Sequence, residues 1–420
     1  MSKKIILPSG VRAIEAEYKE QYVEEYNSNP FTQCLPQIKS EQEIIKLLTY
    51  NPKINKEELL LDGSIKSHLL ERIYRFFQPL PIHIKIWNMI DTLIRQSYVA
   101  RNPFDPNYKR YANETGERII NKNFSLDCNE NFRTTASCGL LIGFSGMGKT
   151  TTVDNVLKNI PQIICHNTYN NVQFNQIQVP WLKLEAPYNG SLKSLTLQAF
   201  LKIDDLLQTD NFKRHVSRNL STDAMLPILG KLCNSIGVGL IVIDELQHLN
   251  NRGVNQTMNF FVSIMNTFGV SLLLIGTPAS YDMLKTEMRI ARRVTGNSEV
   301  IWNNMDLDKE FRLLMKGLWR YQWLNSKAEL TEEIINAFYK RSCGITDLVV
   351  KIFVNSQKMA IGKGIEVLNI EVIEKVAKEE FQLLTPMLEA IRSNNPSKLI
   401  RYEDISRINT SLINTQEINS

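Results

Sequence analysis

Gly143-Phe144-Ser145-Gly146-Met147-Gly148-Lys149-Thr150 has the residue types and spacing of a loop that cradles the phosphates of a nucleoside triphosphate. Glycines let backbone N–H groups turn inward without a Cβ in the way, and a helix starting at the loop's end adds partial positive charge. Lys149 is placed to reach the β- and γ-phosphates, and the Thr150 hydroxyl to meet Mg²⁺. The expected ATP contacts are Gly143, Ser145, Gly146, Met147, Gly148, Lys149, Thr150 and Thr151. A second pattern complements the first. Gly239-Leu240-Ile241-Val242-Ile243 is an apolar run ending in Asp244-Glu245. Carboxylates at the C-terminal end of a parallel strand face the ligand crevice. Asp244 is expected to share the Mg²⁺ shell with Thr150, and Glu245 to orient or deprotonate an attacking water. That pair favours hydrolysis over transfer to a second substrate. Thr277, 33 positions after Asp244, ends the next apolar run and is expected to hold the lytic water and sense phosphate.

These side chains need a particular scaffold. Gly139 to Ile142 reads as the buried strand before the loop, and Thr151 to Asn159 as the helix after it. Asp244 follows Lys149 by 95 positions, room for another strand, Ile177 to Glu185, and helix, Ser191 to Leu207. An inserted strand of that kind points to the AAA+ branch of α/β phosphate-loop folds, with a parallel sheet. Further strands are expected at Ser271 to Gly276 and Glu299 to Trp302, and a helix over Phe311 to Trp323.

Residues 1–130 read as helices broken at Asn29-Pro30, Asn51-Pro52, Pro79-Leu80-Pro81 and Asn102-Pro103. The clearest is Ile82 to Tyr98, with Ile86, Met89, Ile90, Leu93 and Ile94 on one core-facing stripe. From Leu330 the pattern is all-helical, as in a small lid behind a nucleotide; Ile345, Leu348, Val349, Ile352 and Phe353 share one face. The expected organisation is a helical N-terminal extension (1–130), an ATPase core (131–325), a helical lid (326–393) and a polar C-terminal tail (394–420).

Arg289, Arg292 and Arg293 follow the sensor strand, where a subunit of this fold presents an arginine to its neighbour's γ-phosphate; the sequence does not choose among the three. The lid's usual second sensor is an arginine shortly after a glycine. Here Gly344 is followed by Asp347, with Lys351 one turn on, which fits slow turnover or a switch that works mainly by binding ATP.

A chain of 420 residues, 43% hydrophobic and 22% charged, can bury a real core, and two or three domains are expected. A net charge of +5 permits an anionic partner. Six scattered cysteines without a Cys-x-x-Cys pair argue against zinc and a disulfide framework, and fit a reducing cytoplasm. No apolar run is long enough to span a membrane, and the start lacks a secretory core. The five histidines form no metal-ligand spacing; His248 reads as structural.

Asp244-Glu245-Leu246-Gln247-His248-Leu249, Leu274-Ile275-Gly276-Thr277-Pro278 and Arg289-Ile290-Ala291-Arg292-Arg293 together resemble the TnsC/TniB/MuB family, AAA+ regulators of Tn-seven-like bacterial transposons. Tyr26-Asn27-Ser28-Asn29-Pro30-Phe31, Tyr98-Val99-Ala100-Arg101-Asn102-Pro103 and the run from Pro386 to Ser393 extend the likeness across roughly residues 20–402. The resemblance implies an ATP- and Mg²⁺-dependent protein of the bacterial cytoplasm. Its subunits would assemble as rings or helical filaments on double-stranded DNA, bridge a TnsD/TniQ-type target selector to a TnsA/TnsB-type transposase, and themselves cut no DNA. Phosphate gripping without sequence preference calls for cations on loops facing a ring centre; Lys193, Lys202, Lys213, Arg214 and Arg218 are the candidates. The competing reading is a signalling or defence ATPase that binds a protein ligand in place of DNA.

Overall fold

A computed structural model describes residues 3–121, 132–215, 221–251, 254–280, 298–365 and 367–393. The described residues fall into two compact units. One comprises 3–40, 85–142 and 150–300, the other 41–84, 143–149 and 301–393.

The central sheet has five strands in the order β6-β7-β8-β3-β9: β3 (Cys138–Gly143), β6 (Trp181–Glu185), β7 (Leu240–Asp244), β8 (Ser271–Gly276) and β9 (Glu299–Trp302). Pairing is parallel between β6 and β7, β7 and β8, and β8 and β3. Every residue of β3, β7 and β8 is buried. Such unbroken apolar runs belong to parallel strands covered on both faces. The register sets Glu185 beside Asp244 and Ile142 beside Gly276, so the strands' C-terminal ends converge on one edge of the sheet. Helix α1 (Pro81–Val99) covers part of one face: Ile86, Met89, Ile90, Leu93 and Ile94 are all buried, as the stripe predicts. A Cβ on Gly139 of β3 would come 2.7 Å from Leu93 Cδ1 and 3.2 Å from Met89 Sδ.

The N-terminal region departs from the helical expectation. β1 (Lys4–Ile6) and β2 (Arg12–Glu15) pair antiparallel, and β2 joins the hairpin of β4 (Ile164–Tyr169) and β5 (Val172–Gln178) in a second sheet ordered β1-β2-β4-β5. The strand expected over Ile177 to Glu185 is therefore two: β5 ends at Gln178, and β6 begins at Trp181 in the other sheet. Pro180, which lacks an N–H for a ladder, stands at the break.

Two buried histidines belong to different units. His166 accepts from the Tyr18 hydroxyl at Nδ1 (2.8 Å) and contacts Gln178 Oε1 through Nε2 (2.9 Å); the Gln178 amide donates to Phe31 O, which fixes its orientation. His83 Nδ1 accepts the Leu80 N–H at 2.7 Å. Burial drives the imidazole pKa of each down to about 4. A folded pKa below the unfolded value means protons bind preferentially to the unfolded chain. The stabilising contribution is complete above about pH 6.5 and is lost as the pH falls toward about 4. At pH 5 the loss amounts to about 2 kcal/mol per histidine. Thermal melts at pH 7.5 and pH 5 are expected to show a clear drop that shrinks in His166→Gln; an unchanged melting point across that range rules the effect out.

Candidate nucleotide site

The phosphate loop follows β3 and runs into helix α2 (Lys149–Leu157). Gly146 takes φ +81°, a conformation costly for a residue with a Cβ. A Cβ there would also meet Ile345 Cγ2 at 3.1 Å and Asp347 Cβ at 3.3 Å. Lys149 Nζ donates to the loop's own carbonyls, Gly143 O at 2.7 Å and Phe144 O at 2.9 Å, so the ammonium is drawn over the loop. Ser145 and Gly146 are exposed, Met147 is buried at 2%, and Gly148 is partly exposed.

The same unit carries the helices of the expected lid: α4 (Glu332–Ser342), α5 (Thr346–Gly362) and α6 (Ile370–Glu379). Ile345, Leu348, Val349, Ile352 and Phe353 are buried along one face of α5. The N-terminus of α5 meets the loop directly, with the Asp347 N–H donating to Gly146 O at 3.0 Å. The Asp347 carboxylate is paired with Lys351 Nζ at 2.6 Å. The cation one turn on is thus engaged with the acid that stands at the second-sensor position.

In the other unit, Thr150 Oγ1 donates to Asp244 Oδ2 at 2.9 Å. This brings together the two groups expected to hold Mg²⁺. Hard oxygen donors on a hydroxyl and a carboxylate fit that ion, which keeps most of its waters and takes few protein ligands. Among the described residues no cluster of three or more His, Cys, Asp or Glu could form a self-sufficient metal cage. Sequence reasoning missed Lys183. It sits on β6 between buried Leu182 and Leu184, and its Nζ lies 2.6 Å from Asp154 Oδ1 and 3.4 Å from Asp244 Oδ2. The pair of acids flanking it offsets the cost of placing an ammonium that is only 18% exposed. The alternation of β6 gave the signal: a lone lysine two residues before Glu185, the residue that pairs with Asp244.

Glu245 is exposed and has φ +58°, the left-handed region. Its N–H donates to Asp244 Oδ1 at 3.0 Å. Its carboxylate Oε2 accepts from Gln247 Nε2 in the following 3₁₀ turn, Leu246–Asn251. Thr277 stands just past β8, 5% exposed, and its N–H donates to Gln247 Oε1 at 3.3 Å. The structure therefore connects Thr150 with Asp244, and Glu245 with Thr277 through Gln247.

The remaining candidates are more scattered. Lys193, partly exposed, and Lys202, exposed, lie on helix α3 (Leu192–Leu207), and the exposed Lys213 and Arg214 on a short helix, Asn211–His215. These are helical positions, contrary to the expectation of loops. Burial of Leu195, Ala199, Phe200, Ile203 and Leu207 fixes one face of α3, which leaves positions 193 and 202 off that face. Arg218, Arg289, Arg292 and Arg293, and the tail from 394, lie outside the described residues. Five cysteines, Cys34, Cys138, Cys165, Cys233 and Cys343, are free and buried. Among the described residues no helix is long and apolar enough to cross a membrane.

Residues 132–284 match the family described as "AAA domain". That stretch spans β3, the phosphate loop, Asp244, Glu245 and Thr277. No curated protein matches the sequence. Among solved structures, the chain is similar to the Walker-type ATPase of Pyrococcus abyssi at 16% identity, over 69% of this chain and 76% of that one, with a TM-score of 0.37. It is similar to the Aeropyrum pernix ORC1 protein in complex with DNA at 14% identity, over 71% and 72%, with a TM-score of 0.41. For Thermotoga maritima RuvB the values are 12%, 67% and 69%, and 0.32. Likenesses this distant say nothing about what the chain does.

Proposed function

We propose that this chain is a Mg²⁺-dependent ATPase that assembles on double-stranded DNA and regulates transposition, bridging a target selector to a transposase. The observation that carries the ATPase reading is the Thr150–Asp244 hydrogen bond of 2.9 Å, immediately after a phosphate loop and immediately before Glu245. A hydroxyl and a carboxylate joined in this way are the pair an ATP-bound Mg²⁺ calls for, and the match of residues 132–284 to an AAA domain supports it. Thr150 and Asp244 would hold that ion, and it would supply positive charge to offset that of the phosphates.

The backbone N–H groups of residues 143–149 and the Lys149 ammonium bind the β- and γ-phosphates. Glu245 takes a proton from a water as that water's oxygen attacks the γ-phosphorus. The bond from that phosphorus to the β–γ bridging oxygen breaks, giving ADP and inorganic phosphate. An arginine from a neighbouring copy, one of Arg289, Arg292 and Arg293, stabilises the charge on the transferring phosphoryl group. The paired Asp347 and Lys351 keep a lid cation occupied, consistent with slow turnover.

Support for the transposition role comes from the run Asp244 to Leu249, with Gly276-Thr277-Pro278 and the arginine triplet downstream. DNA contacts are assigned to phosphates through Lys193, Lys202, Lys213, Arg214 and Arg218. Electron microscopy of the purified chain with duplex DNA and a non-hydrolysable ATP analogue tests the reading. Rings or filaments that form only when both are present support it. A monomer under all conditions, or tightly retained ADP with no duplex binding, refutes it and favours a protein-ligand switch.

A further inference from the structure

We propose that Gln247 is a positioning residue for water activation: its carboxamide fixes the Glu245 carboxylate relative to the end of β8, so that Glu245 and the Thr277 hydroxyl address the same water. The inference rests on the reading of Glu245 as the base. Gln247 engages both ends of its amide. Nε2 donates to Glu245 Oε2, and Oε1 accepts the Thr277 N–H at 3.3 Å. A carboxamide is suited to this because it carries a donor and an acceptor on one planar group. With Oε2 engaged, Oε1 of Glu245 is the oxygen that takes the proton.

Thr277 supplies the second observation. Its Oγ1 is buried and has no hydrogen-bond partner among the described residues, and the same holds for Ser280 Oγ one turn later. Buried hydroxyls are rarely left without a partner, and an orphan at the strand end beside the base marks a place for a water. The geometry depends on a close approach at Gly276. A Cβ there would lie 2.4 Å from Ser280 Oγ and 3.2 Å from Leu246 Cβ, so the 3₁₀ turn reaches the strand end only because position 276 has no side chain. The turn is braced on its other neighbour as well. The His248 ring meets Tyr188 edge-on at 5.5 Å, and its Nδ1 lies 3.4 Å from Ala186 O. The backbone at Glu245, in the left-handed region, is therefore followed by a turn held at both Thr277 and Ala186.

The test compares the full-length wild type with Gln247→Leu, Gln247→Glu and Glu245→Gln, with and without duplex DNA. It measures steady-state ATP hydrolysis, affinity for a non-hydrolysable ATP analogue and thermal melting. Gln247→Leu is expected to lower kcat at least about 10-fold, with KM, analogue affinity and melting point essentially unchanged. Gln247→Glu keeps the size and an acceptor but loses the donor and adds like charge, and is expected to lose as much. If Gln247→Leu turns over at the wild-type rate while Glu245→Gln is inactive, the inference falls and the reading of Glu245 stands. If melting point and KM move together with kcat, Gln247 serves only the fold, and the inference falls again. Hydrolysis by Glu245→Gln at the wild-type rate removes the reading itself, and the inference with it.

Discussion

Glu245→Gln is expected to lower ATP turnover by about 10²–10⁴-fold while nucleotide binding persists, because the substitution removes the proposed general base and keeps the phosphate loop intact. The side chain is exposed at the end of β7, next to the Asp244 carboxylate that accepts from Thr150 at 2.9 Å. Glutamine keeps the length and an acceptor oxygen, so the contact with Gln247 has an isosteric partner. Without hydrolysis to end the ATP-bound state, assemblies on DNA are expected to outlast those of the wild type. Phosphate release in steady state, together with the lifetime of filaments by light scattering, gives the comparison. Wild-type turnover in the variant would assign the base elsewhere.

Lys149→Ala is expected to weaken ATP binding by about 10–100-fold, the worth of a charge-assisted hydrogen bond to phosphate, and to abolish nucleotide-dependent assembly. In the structure the ammonium already sits over the loop, donating to Gly143 O and Phe144 O. Meeting a phosphate exchanges these carbonyl contacts for a charge-assisted one, so the loss on truncation is expected to fall on binding as well as on turnover. Titration with a fluorescent ATP analogue reads the affinity directly. Equal affinity in the two proteins would mean that the phosphates lie elsewhere.

The C-terminal edge of the central sheet is legible in sequence because its signals are local. Leu272, Leu273, Leu274 and Ile275 form one apolar run that ends at a glycine, and the strand has the bounds the sequence predicts, Ser271–Gly276. Thr150, Asp244 and Glu245 come with their own motifs. The second sheet is not legible in this way. β1 and β2 are three and four residues long, and β2 is completed by β4, some 150 positions away. No window of sequence contains that partner. The β4–β5 hairpin did leave a mark. Asn170 and Asn171 have φ of 48° and 63°, the paired left-handed conformation of a two-residue turn that asparagine tolerates. Gln247 and Lys183 escaped for a related reason: each acts on a carboxylate through its tip, and its other partner, Thr277 or Asp154, is distant in the chain.

The left-handed backbone at Glu245 has a cost of its own. A residue with a Cβ gives up roughly 1–2 kcal/mol to adopt it, whereas glycine adopts it freely. Anyone selecting for thermal robustness alone would therefore be steered to glycine at position 245 and, with Glu245 as the proposed base, is expected to recover a sturdier protein that no longer turns over ATP. With that role for Glu245, durability and turnover pull in opposite directions at this one peptide, so a screen for hardier variants has to hold it fixed.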